Sequence, residues 1–136
     1  MPHVVIEGRV DLRAWARDFE PLLLRKGGDV LRIDQGYLEL GGRSLLLEAL
    51  VVESGRKLPF YIKISSHERG SATLRVDPLT YPERSEGVRA LVAHVGALLL
   101  ARTPGARLGS ANVVLPSLGT QGLERGKEEA SDEDRQ

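Results

Sequence analysis

The chain has 136 residues, 41% of them hydrophobic and 28% charged, with a formal net charge of zero, which fits one globular domain because two cores would each be marginal in size. The absence of cysteine excludes disulfides, thiolate nucleophiles and Cys-based zinc sites, and fits a reducing cytoplasm. Only 4% of the residues are aromatic, so aliphatic side chains must fill the core and stacking platforms for bases or sugars are not expected.

Residues 3–7 read as a short strand, apolar at Val4, Val5 and Ile6. Asp11 can cap a helix over residues 12–25. There Leu12, Trp15, Ala16, Phe19, Leu22 and Leu23 fall at helical spacing, Gly27-Gly28 ends the run, and Pro21 predicts a kink or a restart. Residues 30–40 form a strand candidate whose inward parity changes at Gly36, which predicts a bulge or turn there. Gly41-Gly42 turns the chain into residues 44–53, apolar on both parities and therefore expected to be central in the sheet or at an oligomer interface.

Ser54-Gly55-Arg56 closes a hairpin, after which Leu58, Phe60, Ile62 and Ile64 alternate with Pro59, Tyr61, Lys63 and Ser65. A further hairpin through His67-Glu68-Arg69-Gly70 leads to Ala72, Leu74 and Val76. Thr80 and Glu83 have the spacing of a capping box for a second helix, with Val88, Leu91, Val92, Val95, Leu98 and Leu99 as its buried stripe and Gly87 and Gly96 permitting close packing. Thr103-Pro104-Gly105 stops it, and a weaker strand follows over residues 108–115. The expected fold is α+β, in the order β-α-β-β-β-β-α-β, with a mixed or antiparallel sheet of about five or six strands and two helices on one face.

Residues 1–116 form the predicted domain and residues 117–136 an acidic tail, expected to be disordered. Six of the nineteen acids and three of the nineteen bases fall in the tail, leaving thirteen acids and sixteen bases in a mildly basic body. Scarce Asn, Gln, Met and Cys, with arginine far ahead of lysine, give the composition a thermophile-like cast.

No Gly-rich phosphate loop and no close pair of metal ligands occurs, so neither a cofactor nor a metal is expected. Ser65, Ser66, His67 and Glu68 have the residue types of a hydrolase triad, but consecutive residues at a hairpin cannot supply its geometry. The arginines are spread along the chain, which argues against a nucleic-acid surface. No run approaches the roughly 18 apolar residues of a membrane helix, and the opening residues lack a secretion pattern, so no membrane partner is expected. Pro2 is the chemically distinctive residue. If Met1 is removed, Pro2 presents a secondary amine whose pKa, lowered by partial burial or nearby arginines, would let it act as a base at neutral pH.

The opening Met1-Pro2-His3-Val4-Val5-Ile6-Glu7 resembles that of the tautomerase superfamily, in particular its 5-carboxymethyl-2-hydroxymuconate isomerase branch. The resemblance implies an isomerase with Pro2 as catalytic base, acting on an unsaturated or keto carboxylate, in trimer-forming subunits built from two β-α-β units. It also implies a substrate-binding arginine, for which Arg32 is the nearest candidate. Residues 45–64 depart from that pattern by adding strands. The alternative is a non-enzymatic oligomeric or binding domain whose contacts come from residues 44–53 and 88–100.

Overall fold

A computed structural model describes residues 1–80, 82 and 85–118. Its elements in chain order are β1 (His3–Glu7), α1 (Leu12–Asp18), β2 (Leu22–Lys26), β3 (Asp29–Leu38), β4 (Ser44–Glu53), β5 (Arg56–His67), β6 (Ser71–Val76), a 3-10 turn (Pro78–Thr80), α2 (Glu86–Ala101) and β7 (Arg107–Ala111). The seven strands form one sheet in the order β2-β3-β4-β5-β6-β1-β7. Every neighbouring pair is antiparallel. The α+β class is as the sequence predicts, with one strand more than the upper expectation.

The added strand comes from the expected first helix. Asp11 does cap α1, accepting from the Ala14 amide at 3.1 Å, but the helix ends at Asp18 and Leu22–Lys26 is a strand. Pro21 has no amide to donate, and it biases Glu20 toward extended backbone, so the helix does not continue past it. Leu22 and Leu24 then pack against the core while Leu23 is turned outward. A run that fits both helical spacing and alternation becomes a strand because β3 is there to pair with it.

β3 carries its irregularity between Ile33 and Gln35, not at Gly36, which remains paired with Leu47. The displaced residue is Asp34, which shifts the inward parity from Leu31 and Ile33 to Gly36 and Leu38. The β4–β5 hairpin turns through Ser54 and Gly55, both at positive φ (52° and 75°). β7 is shorter and earlier than residues 108–115. The chain beyond it packs through Val113, Leu115 and Leu118 onto the core, so ordered packing reaches past Pro116; residues 119–136 lie outside the described residues.

α2 lies across the inner face and buries Val88, Leu91, Val92, Val95, Leu98 and Leu99 against inward residues of the sheet, while Leu12 and Trp15 of α1 join the same cluster. Gly96 admits Val4, whose side chain would lie 3.0 Å from an added Cβ, and Gly87 leaves room for Val51 and Glu53. The helix begins at Glu86, not within the expected capping box. The Thr80 hydroxyl instead accepts from the Tyr61 amide and donates to the Asp77 carbonyl, while Glu83 lies outside the described residues. Ser85 caps α2, accepting from the Val88 amide at 3.0 Å and donating to Glu53 at 2.8 Å; the same Glu53 oxygen accepts the Gly87 amide. A carboxylate from the end of β4 thus meets the positive end of the helix dipole.

Candidate functional site

Pro2 shares the inward parity of Val4 and Ile6 and is buried, whereas Arg32 lies exposed on the outer face of β3, where its Nε donates to Asp34 at 3.2 Å. β4, β5 and β6 intervene between their strands, which is four inter-strand spacings, or about 19 Å. The two expected site residues are therefore on opposite faces and do not converge.

What surrounds Pro2 is a clamp made by Asn112. Its Oδ1 accepts the His3 amide at 2.7 Å and its Nδ2 donates to the Met1 carbonyl at 2.9 Å, so one side-chain amide spans the residue that has no N–H of its own. Arg89 of α2 holds the clamp by donating to the Asn112 carbonyl at 2.7 Å. Neither Asn112 nor Arg89 belongs to a sequence motif. Only the pairing of β1 with β7 and the packing of α2 beneath them bring these residues to the amino terminus.

Arg89 also borders a cleft of about 320 Å³ between the β2–β3 turn, the start of α2 and Val113-Val114. Lys26 and Arg89 face Asp29 and Glu86 there, so the charge is balanced, and two of the first α2 amides are already satisfied by Glu53 and Ser85. The cleft has no net pull on an anion. At the β5–β6 hairpin, His67 shares a hydrogen bond with Thr73, Ser66 donates to the Arg43 carbonyl, and Glu68 pairs with Arg43 at 3.7 Å. These residue types form no relay. Among the described residues no group of three His, Asp or Glu side chains is placed to hold a metal, and no helix is long and apolar enough to cross a membrane.

The most unusual surface is the outer face of β2 to β5. A sheet face exposed to water normally carries polar side chains. Here the outward parity holds Leu23 on β2, Val30 and Tyr37 on β3, Leu46, Leu50 and Val52 on β4, and Pro59 and Tyr61 on β5. Leu23 is 51% and Tyr37 48% exposed, while Leu46, Leu50 and Val52 are half-buried by their neighbours alone. The register places Leu23, Arg32, Leu50 and Pro59 in one row across four strands, and Tyr37, Leu46 and Lys63 in another. Between them Glu48 accepts from the Tyr37 hydroxyl at 3.4 Å. Loss of water around the Tyr37 phenol, with the Glu48 carboxylate beside it, raises its pKa above the ordinary tyrosine value.

Comparison with family models, with curated proteins and with solved structures finds no match in any of the three.

Proposed function

We propose that this domain acts by association and not by catalysis, and that the outer face of β2 to β5 receives a second copy of the chain. The observation that carries this reading is the apolar outward parity of the central strand β4, where Leu46, Leu50 and Val52 lie between Leu23 and Tyr37 on one side and Pro59 and Tyr61 on the other. Monomeric proteins rarely leave contiguous apolar ground of this kind uncovered. β3 and β4 with ten residues each, β5 with twelve and β2 with five, about 4.8 Å apart, cover roughly 570 Å² in plan, below the ~800 Å² per partner of a standard interface and in the range of a weaker association. Arg25, Arg32, Lys57 and Lys63 share the outward parity with Glu48, so a two-fold-related copy has to set a basic position against Glu48 and leave the other bases at the solvated rim. Residues 88–100 are not available for this role, since α2 spends its apolar stripe inside its own domain. Sedimentation equilibrium tests the proposal: a dimer or larger oligomer at micromolar concentration is expected, and a monomer at a hundredfold higher concentration refutes it.

A second reading keeps Pro2 as the base of a tautomerase-type isomerase of the cytoplasm, acting on a carboxylate substrate. It is favoured by the accessibility of Met1, 44% exposed, and by the Asn112 amide held beside the Pro2 nitrogen. In this reading Arg89, not Arg32, is the guanidinium on the proline side of the sheet. Intact mass of the purified chain decides first, because retained Met1 leaves Pro2 without a free amine. If Met1 is absent, ultraviolet-monitored ketonisation of phenylenolpyruvate must depend on Pro2, and turnover unchanged in Pro2→Ala removes the reading.

A further inference from the structure

On the outer face, beside the ground assigned to a second copy, the register lines up basic side chains on neighbouring strands. Lys63 of β5 stands opposite Arg75 of β6, and Arg75 stands opposite His3 of β1. All three point outward, because Ile62, Ile64, Leu74, Val76 and Val4 are buried on the other parity. Lys57 adds a further base at the start of β5. Within their bounds, the outward positions of β5 and β6 hold no acid at all. Like charges directly opposite one another destabilise a sheet, so an uninterrupted basic row calls for a counter-charge.

The fold does not supply one. Glu7 on β1 is taken by Arg107 at 2.9 Å. Two carboxylates flank the row: Glu48, diagonal to Lys63, accepts from the Tyr37 hydroxyl, and Asp77, just past β6, accepts the Leu79 amide. Neither forms an ion pair with it, and Lys63 and Arg75 have no hydrogen-bond or ion-pair partner among the described residues. Even with both flanking acids counted against Lys57, Lys63 and Arg75, the strip keeps a basic excess.

The complementary charge lies further along the same chain. Glu128, Glu129, Asp132, Glu133 and Asp134 fall within one run that contains no base. Leu118, where the described chain ends, packs on the core. From there to Glu128 an extended chain spans about 33 Å, more than the ~29 Å width of the seven-stranded sheet, so the run can pass round an edge to the outer face.

We propose that the acidic run 128–134 docks on this strip of its own domain, with its carboxylates pairing Lys63 and Arg75, and so shields the strip from other polyanions. The contacts lie in water, which makes each of them weak and their sum sensitive to salt. The strip starts at the rim of the β2 to β5 face and runs away from it, so the proposal does not rest on self-association.

The chain has no cysteine, so Ser131→Cys accepts a single nitroxide label within the run. In full-length, isotope-labelled protein at low ionic strength, the nitroxide is expected to broaden the amide resonances of Lys63, Thr73 and Arg75 and to spare those of β2 and β3. The broadening should vanish at about 1 M sodium chloride, where the screening length falls to about 3 Å. It should also be lost in Lys63→Gln/Arg75→Gln. Neutralising the run itself, with Glu128→Gln, Glu129→Gln, Asp132→Asn, Glu133→Gln and Asp134→Asn together, leaves the domain untouched and should have the same effect. No selective broadening overturns the proposal, as does broadening that persists in the Lys63→Gln/Arg75→Gln variant. Spin-labelled chain mixed with isotope-labelled chain that carries no nitroxide separates the two copies: broadening as strong in that mixture assigns the run to another molecule and equally overturns docking on its own domain.

Discussion

The Glu53 carboxylate is the residue on which two distant segments depend, because it accepts both the Ser85 hydroxyl and the Gly87 amide at the start of α2. Ser85→Ala removes the cap side chain and should cost about 1 kcal/mol in denaturant unfolding. Glu53→Gln should cost a similar amount, and the double variant less than the sum, since each change disables part of the same cluster. Strict additivity would show that the two groups act independently. Glu39 offers a pH test at the β3–β4 turn. Its carboxylate accepts the Arg43 amide at 3.0 Å, and this bond, with one from the Gly41 amide, holds its pKa below the ordinary carboxylate range. A carboxyl group with a lowered folded-state pKa contributes stability that is present above its unfolded value and lost as pH falls through the folded one. Acid titration of stability should therefore be shallower in Glu39→Gln than in the parent chain; identical slopes would contradict the assignment.

At the scale of elements, what could be read from the sequence depended on whether a local pattern had one partner or two. β5 was legible because Leu58, Phe60, Ile62 and Ile64 alternate without interruption, and the hairpins were legible from their glycines. Residues 22–26 were not, since three consecutive leucines satisfy helical and strand periodicity alike and only pairing with β3 decides. The start of α2 differs from its sequence signal for a related reason: Thr80 has the right spacing for a cap, but its hydroxyl accepts from the Tyr61 amide of β5. The candidate site was less legible than the fold. Pro2 is recognisable by its chemistry, whereas Asn112 and Arg89 acquire meaning only from the β1–β7 pairing, and the sequence does not show which face of β3 carries Arg32. The packing of α2 gives a direct check on its register. Gly87→Ala would place a Cβ 2.6 Å from both Val51 and Glu53, so it should destabilise the domain by about 1–3 kcal/mol. An unchanged unfolding midpoint would mean that α2 does not approach β4 as closely as described.

For the whole molecule, the two faces of the sheet differ in how completely they are satisfied. The inner face is closed by both helices, with Val4, Ile6, Ile33, Ile62, Ile64 and Leu74 fully buried. Among the described residues the outer face has no second layer, yet β4 is aliphatic at three of its outward positions. A strand apolar on both parities reads in the sequence as central or interfacial; β4 is central in the sheet, and its second parity is the one proposed above to receive a partner. The reciprocal measurement is therefore the mass of a variant altered only on that second parity. Leu46→Lys/Leu50→Lys keeps the inner parity untouched and lets the lysine stems lie along the sheet with their charges in water. Light scattering of the parent chain and this variant at matched concentration tests the central claim most directly. The account predicts an oligomeric parent and a folded, monomeric variant with a closely similar melting temperature, whereas equal masses for the two chains would contradict it.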